Sequence, residues 1–235
     1  KTPLERLKDL NILDQNLTLT HCIYLNRDLK KEKFTREQLN ILSETETNIC
    51  HCPVVYLRKG FGLNSYQLLV NSGINVGIGT DTVPPDIISE MQATSLLSKL
   101  KDDDSISGSP KDIYNSATIG GAKALNRNDI GRLQKGALAD IVIINISNIR
   151  TGLVDDPIRS LVYYSNSKDI KTVIINGKTV LDNYKIIGVD ENDLYSSAQY
   201  LWKKLISNKT LNYSYKIYKN NSNEFRVLFS YPLNR

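Results

Sequence analysis

Hydrophobic and polar positions along the first hundred residues follow two alternating spacings. Apolar residues three or four apart, as on one face of a helix, recur in four segments, and short apolar runs typical of buried strands lie between them. Strands separated by single helices indicate parallel βα units, so this region is predicted to be α/β. The predicted helices cover residues 3–10, 35–45, 63–71 and 84–99, and the predicted strands cover residues 17–22, 48–56 and 74–81.

The pattern changes after residue 100. A polar, acidic loop over 101–110 precedes a predicted helix over 111–125, in which Gly120-Gly121-Ala122 indicates close packing against a neighbouring element. From residue 130 the chain is β-rich: residues 139–144 read as a strand, and residues 170–181 as two strands around the Asn176-Gly177 turn. A helix over 191–206 and a terminal hairpin built from 211–218 and 224–231 complete the prediction.

Composition and charge narrow the possible classes of protein. The chain has 235 residues, 40% of them hydrophobic and 23% charged, as in ordinary globular domains, and no apolar run approaches the length of a membrane span. Three cysteines are too few and too close together for a disulfide framework, so a reducing cytoplasmic location is expected. The net charge of +5 is concentrated after residue 196, where five lysines and two arginines face one glutamate. We interpret this tail as a solvated surface, because no nucleic-acid-binding motif accompanies it.

Candidate catalytic residues lie where the predicted strands end. His21 and His51, the two histidines of the chain, each come late in a strand, and Asp81 ends the run Gly77-Ile78-Gly79-Thr80-Asp81. The carboxyl ends of parallel strands are where α/β barrels carry their chemistry. Each residue also has a structural interpretation, as a hydrogen-bonded core histidine or as a helix-capping aspartate. Asp86 and Glu90, on the following helix, are interpreted as capping and surface groups.

The cysteines permit a zinc site but do not favour one. Cys50 and Cys52 are one residue apart on a strand, so their thiols face the same side and His51 faces the other. Structural zinc sites usually space their paired ligands two to four residues apart. A structural zinc cage is therefore not expected.

The order of these motifs resembles the metal-dependent amidohydrolase superfamily, nearest to its chlorohydrolase and aminohydrolase branch with the related cytosine, guanine and adenosyl-type deaminases. The resemblance runs from about residue 2 to residue 187. It is carried by Leu-Thr-His21-Cys22, His51-Cys52-Pro53, residues 73–81 and residues 88–93, and later by Thr118-x-x-Gly121-Ala122, Gly131-Arg132-Leu133 and Ile175-Asn176-Gly177-Lys178.

The resemblance implies a fold and a set of roles. The fold is α/β, the carboxyl-terminal half of a TIM (β/α)8 barrel over residues 1–126, with an attached small β-sandwich-like domain segment over 127–187 and a helix with a basic tail over 188–235. Asp81 would be a metal ligand and general base, and His21 a metal ligand and polarising acid or base. His51 either borders the substrate pocket or is structural. The cofactor would be a divalent metal, with zinc as the first candidate and iron as the second.

The resemblance also has departures. The family's His-x-His motif, its fifth-strand histidine and the companion glutamate have no counterpart here, and two ligands are too few for a catalytic zinc site. We therefore expect the missing ligands on an amino-terminal half of the same protein, in a homo-oligomer that binds a nitrogen heterocycle and neither nucleic acid nor membrane. Val54-Val55-Tyr56 replaces the Ser-Asn that follows the family's His-Cys-Pro, so the substrate is left open. The expected function is thus metal-dependent hydrolysis of a C–N or C–Cl bond of a nitrogen heterocycle. The first alternative is a non-catalytic barrel relative or subunit. A second, weaker alternative is a nucleic-acid-binding protein that uses the basic tail.

Overall fold

A computed structural model describes residues 1–23, 34–60, 65–207, 217–219 and 225–227. Its contacts divide the chain into two units, Lys1–Ile187 and Gly188–Arg235. The three-part division drawn from the sequence stays a prediction. Within the described ranges, no helix is both long and apolar enough to cross a lipid bilayer.

The first unit alternates strands and helices as far as α5 and then continues with helices and an antiparallel sheet. Its strands are β1 (Thr18–Thr20), β2 (Asn48–His51), β3 (Val76–Ile78), β4 (Ile141–Ile144), β5 (Ile170–Ile175), β6 (Lys178–Asp182) and β7 (Lys185–Ile186). Its α-helices are α1 (Pro3–Asp9), α2 (Arg36–Glu44), α3 (Pro53–Leu57), α4 (Tyr66–Asn71), α5 (Ile87–Asp102), α6 (Pro110–Asn115), α7 (Gly121–Ala124) and α8 (Pro157–Tyr164). A π-helical turn (Ser116–Gly120) joins α6 to α7, and a 3-10 turn (Ser167–Asp169) precedes β5.

The strands β1, β2 and β3 form a parallel sheet in that order, which confirms the predicted parallel βα units. Thr20 pairs with Cys50, and His51 pairs with Ile78. Apolar side chains of β2 and β3 pack against the surrounding helices in a buried core. That core includes Leu42, Ile49, Leu69, Val76, Ile88, Met91, Ile113 and Val162.

Capping side chains fix the start of two helices: α2 begins where the sequence placed it, and α5 begins at Ile87 rather than at the predicted residue 84. At the start of α2, the Thr35 hydroxyl accepts the Gln38 N–H, and the Gln38 side chain accepts the Thr35 N–H in return, which is a complete capping box. Asp86 caps α5 by accepting the N–H groups of Ile88 and Ser89, as its interpretation as a capping group expects. These bonds satisfy donors that the helix itself leaves unpaired.

All three strands predicted for the parallel sheet were too long, and the strand predicted over 74–81 covers Val76–Ile78 alone. The strand predicted over 48–56 ends at His51, and Pro53 begins α3, because proline suits the first turn of a helix, where its missing N–H costs nothing. The strand predicted over 17–22 ends at Thr20, and His21 and Cys22 follow it with φ of 64° and 52°. His21 therefore lies just beyond a strand rather than within one.

The β-rich region forms a four-stranded antiparallel sheet in the order β4-β5-β6-β7. Asn176 and Gly177, with φ of 48° and 77°, form the tight turn between β5 and β6 and confirm the predicted hairpin. Helix α8, which was not predicted, is capped by Asp156, whose carboxylate accepts the N–H groups of Ile158 and Arg159.

The second unit contains α9 (Glu191–Ser207) and the antiparallel pair β8 (Ile217–Lys219) and β9 (Phe225–Val227). The helix agrees with the predicted range of 191–206. The paired strands agree with the predicted terminal hairpin as far as they are described; the rest of that prediction lies outside the described residues.

Candidate active site

His21 and Asp81 meet at the carboxyl edge of the parallel sheet. The Nε2 atom of His21 lies 3.1 Å from Oδ2 of Asp81. The His21 side chain is 13% exposed and that of Asp81 is 50% exposed, so solvent reaches the pair through the carboxylate. The sequence placed both residues at strand ends, and the structure brings them into hydrogen-bond contact although β2 separates their strands.

The backbone explains how the two side chains reach each other. The His21 N–H donates to the Cys50 carbonyl at 2.9 Å, and the Gly79 N–H donates to the His51 carbonyl at 3.1 Å, so both segments stay attached to β2 beyond the ends of β1 and β3. His21 and Asp81 then adopt left-handed backbone conformations, with φ of 64° and 42°. Histidine and aspartate are among the non-glycine residues that adopt this conformation most readily.

The electrostatic environment keeps His21 largely neutral. Burial lowers the pKa of its imidazole, the charge of Asp81 and their hydrogen bond raise it in opposition, and Lys59 lowers it further. A neutral imidazole that faces a carboxylate through Nε2 carries its proton on that nitrogen and donates it. The other nitrogen, Nδ1, is buried and has no hydrogen-bond partner among the residues that the structure describes.

Helix α3 forms a wall of the site that the sequence did not predict. The ring of Tyr56 packs edge-on against the His21 imidazole with centroids 4.7 Å apart, and Lys59 Nζ lies 5.3 Å from the Tyr56 centroid. Arg58 donates to the Val83 carbonyl at 2.6 Å, which ties α3 to the loop after Asp81. Because residues 53–56 were assigned to a strand, no signal in that interpretation pointed to Tyr56.

Glu90, on α5, holds the first turn of α3 in place through a hydrogen bond. Its Oε2 accepts the Val54 N–H at 3.0 Å, and the residue is 1% exposed. Burial raises the pKa of Glu90 to about 7, against the opposing effects of the Val54 hydrogen bond and of Arg58. The interpretation of Glu90 as a surface group was therefore wrong, because α5 packs against α3 at this point.

His51 lies in the protein interior. It is 2% exposed, and within the described part of the chain its buried Nε2 has no hydrogen-bond partner. Burial, followed by the nearby His21, lowers the pKa of His51 to about 4, so it is neutral at physiological pH. Its place at the border of a substrate pocket stays a prediction.

The thiols of Cys50 and Cys52 converge on one face of the end of β2, as their spacing predicted. Their sulfur atoms share a hydrogen bond at 3.6 Å. This bond lowers the pKa of Cys50 to about 7 and raises that of Cys52. Both cysteines and Cys22 are free thiols.

The donor set of this site fits a metal ion in part. An imidazole nitrogen and a carboxylate oxygen are ligands that zinc accepts, and His21 and Asp81 supply one of each. However, no three histidine, cysteine, aspartate or glutamate side chains within the described ranges are arranged to hold an ion. The pair therefore suits two positions of a larger ligand set.

Comparison with known proteins identifies the family. A sequence model of the Amidohydrolase family matches residues 1–180. The chain belongs to the amidohydrolase family. This membership confirms the resemblance that the motifs carry around His21, His51 and Asp81.

The similar curated proteins are deaminases of adenine nucleosides. The chain is 30% identical over 202 residues to a 5-methylthioadenosine/S-adenosylhomocysteine deaminase of Pelotomaculum thermopropionicum, an alignment that covers 84% of this chain and 45% of that protein. It is also 30% identical over 203 residues to a 5'-deoxyadenosine deaminase of Methanosphaera stadtmanae, covering 85% of this chain and 45% of that protein. The chain thus spans a little under half the length of these relatives.

Solved structures share the fold. An adenosine deaminase from Xanthomonas campestris with bound zinc superimposes with a TM-score of 0.79 at 25% identity, over 87% of this chain and 46% of that one. Atrazine chlorohydrolase from Arthrobacter aurescens, complexed with zinc, superimposes with a TM-score of 0.74 at 23% identity, over 85% of this chain and 43% of that one. At this identity the second likeness concerns the fold alone.

Proposed function

We propose that this chain is the carboxyl-terminal part of a metal-dependent deaminase that hydrolyses a C–N bond of a nitrogen heterocycle, with an adenine nucleoside as the favoured substrate. The observation that carries the proposal is the 3.1 Å contact of His21 Nε2 with Asp81 Oδ2 at the carboxyl edge of a parallel sheet. The names of the relatives support the reaction and the substrate class. In this proposal, residues 1–126 form half of a (β/α)8 barrel, and residues 127–187 belong to an attached small β-sandwich-like domain.

The proposed cofactor is a divalent metal, zinc in preference to iron. When bound, such a metal lowers the pKa of water from about 15.7 towards 7, which makes hydroxide available at neutral pH. Asp81 would supply a carboxylate oxygen to it. His21 would supply Nε2, which can bind a metal only after it gives up the proton that it donates to Asp81. We propose that the other ligands come from a further segment of the functional protein.

Asp81 would act as the general base. Its half-exposed carboxylate can accept the proton of the attacking water while the water oxygen bonds to the ring carbon. The same proton can then pass to the departing amine, so that the C–N bond breaks and ammonia leaves. Water and the amino compound are consumed, and the hydroxylated or oxo ring and ammonia are formed.

His21 would orient this base and stabilise charge. The N–H of its Nε2 donates to Asp81 and fixes the direction of the carboxylate. Burial lowers the pKa of the imidazole and so favours its neutral form, and the Tyr56 ring packs against it at a centroid distance of 4.7 Å. A neutral imidazole has one N–H group, and this group can turn from Asp81 to developing negative charge once the Asp81 carboxylate has taken the proton of the water.

The proposal is tested with Asp81→Asn and His21→Asn, which keep residues that tolerate left-handed backbone. Asp103→Asn is the matched control, because Asp103 is an exposed aspartate with φ of 51°. The assay measures ammonia release from methylthioadenosine, adenosylhomocysteine and 5'-deoxyadenosine, together with bound zinc, in the complete polypeptide or assembly in which the chain occurs. The two site variants should lose about 100-fold or more in turnover, and the control should lose none.

Turnover and bound metal that both survive Asp81→Asn would refute the assignment. The incomplete ligand set among the described side chains favours one alternative, a non-catalytic relative that serves as a subunit. That alternative predicts neither stoichiometric zinc nor ammonia release in the unaltered protein.

A further inference from the structure

The thiols of Cys50 and Cys52, at the end of β2, lie side by side next to Gly79, which has no side chain. Cys50 Sγ and Cys52 Sγ lie 3.6 Å apart. A Cβ atom placed on Gly79 would lie 2.7 Å from Cys50 Sγ, closer than real Cβ contacts allow, and 3.0 Å from Cys52 Sγ, tighter than most such contacts. Glycine at this position therefore leaves both sulfur atoms room on the same side of the sheet.

The separation of the sulfurs matches a known bite distance. Two thiolates that bind one zinc ion at about 2.3 Å with a tetrahedral angle lie about 3.8 Å apart. The observed 3.6 Å needs almost no rearrangement of either side chain to reach this value. The one-residue spacing, which does not suit a structural zinc cage, thus still suits chelation by two sulfurs.

Access and charge also favour a cation at this place. Cys50 is partly exposed, so an ion has a route to the pair from solvent. Asp81 and Glu90 lie close enough to act electrostatically on both thiols, and the negative charge of the Asp81 carboxylate favours a bound cation. Cys22 is buried, and its thiol is directed to the Leu19 carbonyl at 3.8 Å, so Cys22 is not a ligand of the proposed site.

We propose that Cys50 and Cys52 form a bidentate site for a thiophilic metal ion, distinct from the ligand pair His21 and Asp81. Each thiol releases one proton to solvent, two sulfur–metal bonds form, and no group is oxidised or reduced. Soft thiolates select ions such as Zn²⁺, Cd²⁺ and Cu⁺. The remaining coordination positions would be taken by water or by a small exogenous ligand.

Cadmium titration of the reduced, chelator-treated protein tests the site, because thiolate-to-cadmium charge transfer absorbs in the ultraviolet and reports sulfur ligation alone. The unaltered protein should saturate near one equivalent of Cd²⁺. Cys50→Ser and Cys52→Ser should each weaken binding by about 10-fold or more. Cys22→Ser is the matched control, and His21→Asn separates the thiol site from the proposed catalytic pair; both should keep the absorption and the affinity.

The proposal is overturned if the unaltered protein shows no saturable charge-transfer band, or if either Cys50→Ser or Cys52→Ser binds as tightly as the parent. A measurement on the unaltered chain removes any dependence on how well the variants fold. X-ray absorption spectroscopy of the one-equivalent cadmium complex should show at least two sulfur neighbours of the ion. A first shell with one sulfur or none overturns the proposal.

Discussion

Two adjacent glycines, where the π-helical turn meets α7, lie against the parallel sheet. Replacing each of them with alanine should change the stability of the protein in opposite directions. Gly120 and Gly121 have φ of −62° and −63°, an ordinary helical backbone that alanine adopts without strain. A Cβ on Gly120 would lie 2.6 Å from the Val76 carbonyl oxygen of β3. A Cβ on Gly121 would meet nothing closer than the Ser116 carbonyl oxygen at 4.0 Å.

These distances set the expected magnitudes. Alanine in a helix is favoured over glycine by about 0.5–1 kcal/mol, and both variants receive this gain. Only Gly120→Ala also overpacks the contact with β3, which typically costs about 1–3 kcal/mol, and a strand carbonyl cannot turn aside as a side chain can. Gly121→Ala should therefore be more stable than the parent, and should exceed Gly120→Ala by about 1–3 kcal/mol in unfolding free energy.

Urea unfolding, followed by far-ultraviolet circular dichroism, measures the unfolding free energies of the parent and of the two variants. The comparison between the two variants is the decisive one, because their composition and helical setting are the same. Equal stability of Gly120→Ala and Gly121→Ala, or a more stable Gly120→Ala, would refute the close packing of this helix on β3.

Two further predictions concern buried ionisable groups. Burial raises the pKa of Glu90 from 4.5 to about 7, so between these values the folded state holds a proton that the unfolded state has lost. The unfolding free energy of Glu90→Gln should therefore rise relative to that of the parent as pH rises through this interval, by up to about 3 kcal/mol. Urea titrations at several pH values measure this difference, and a difference that does not change with pH argues against the prediction. For His51, whose pKa is lowered to about 4, unfolding free energy should decrease as pH falls from 6.5 to 4, because the unfolded state binds the proton first. An NMR titration midpoint near 6.5 would contradict this.

Much of the first unit could be predicted because its signals are local. The capping box of Thr35 and Gln38, the turn at Asn176-Gly177 and the alternation of single helices with short apolar runs each act over a few residues. Parallel topology follows from that alternation. This topology was enough to predict that His21 and Asp81 lie at the same edge of the sheet.

The remaining features depend on contacts between residues far apart in sequence. Val54-Val55-Tyr56 continues a strand pattern by composition, but the Glu90 carboxylate, 36 positions later, accepts the Val54 N–H at the start of α3. Tyr56 consequently turns towards His21, which no local pattern indicates. Helix α8 was missed although Asp156-Pro157 carries a readable start signal, an N-cap followed by proline.

The most direct test of the account is whether the imidazole of His21 and the carboxylate of Asp81 form one electrostatic unit. With two histidines in the chain, isotope-labelled imidazoles can be titrated by NMR in metal-free protein, in Asp81→Asn and in the control Asp103→Asn. We expect a lower His21 pKa in Asp81→Asn than in the parent, since the charge and hydrogen bond of Asp81 favour the protonated ring, and no change in the control. An identical His21 pKa in the parent and in Asp81→Asn would contradict it.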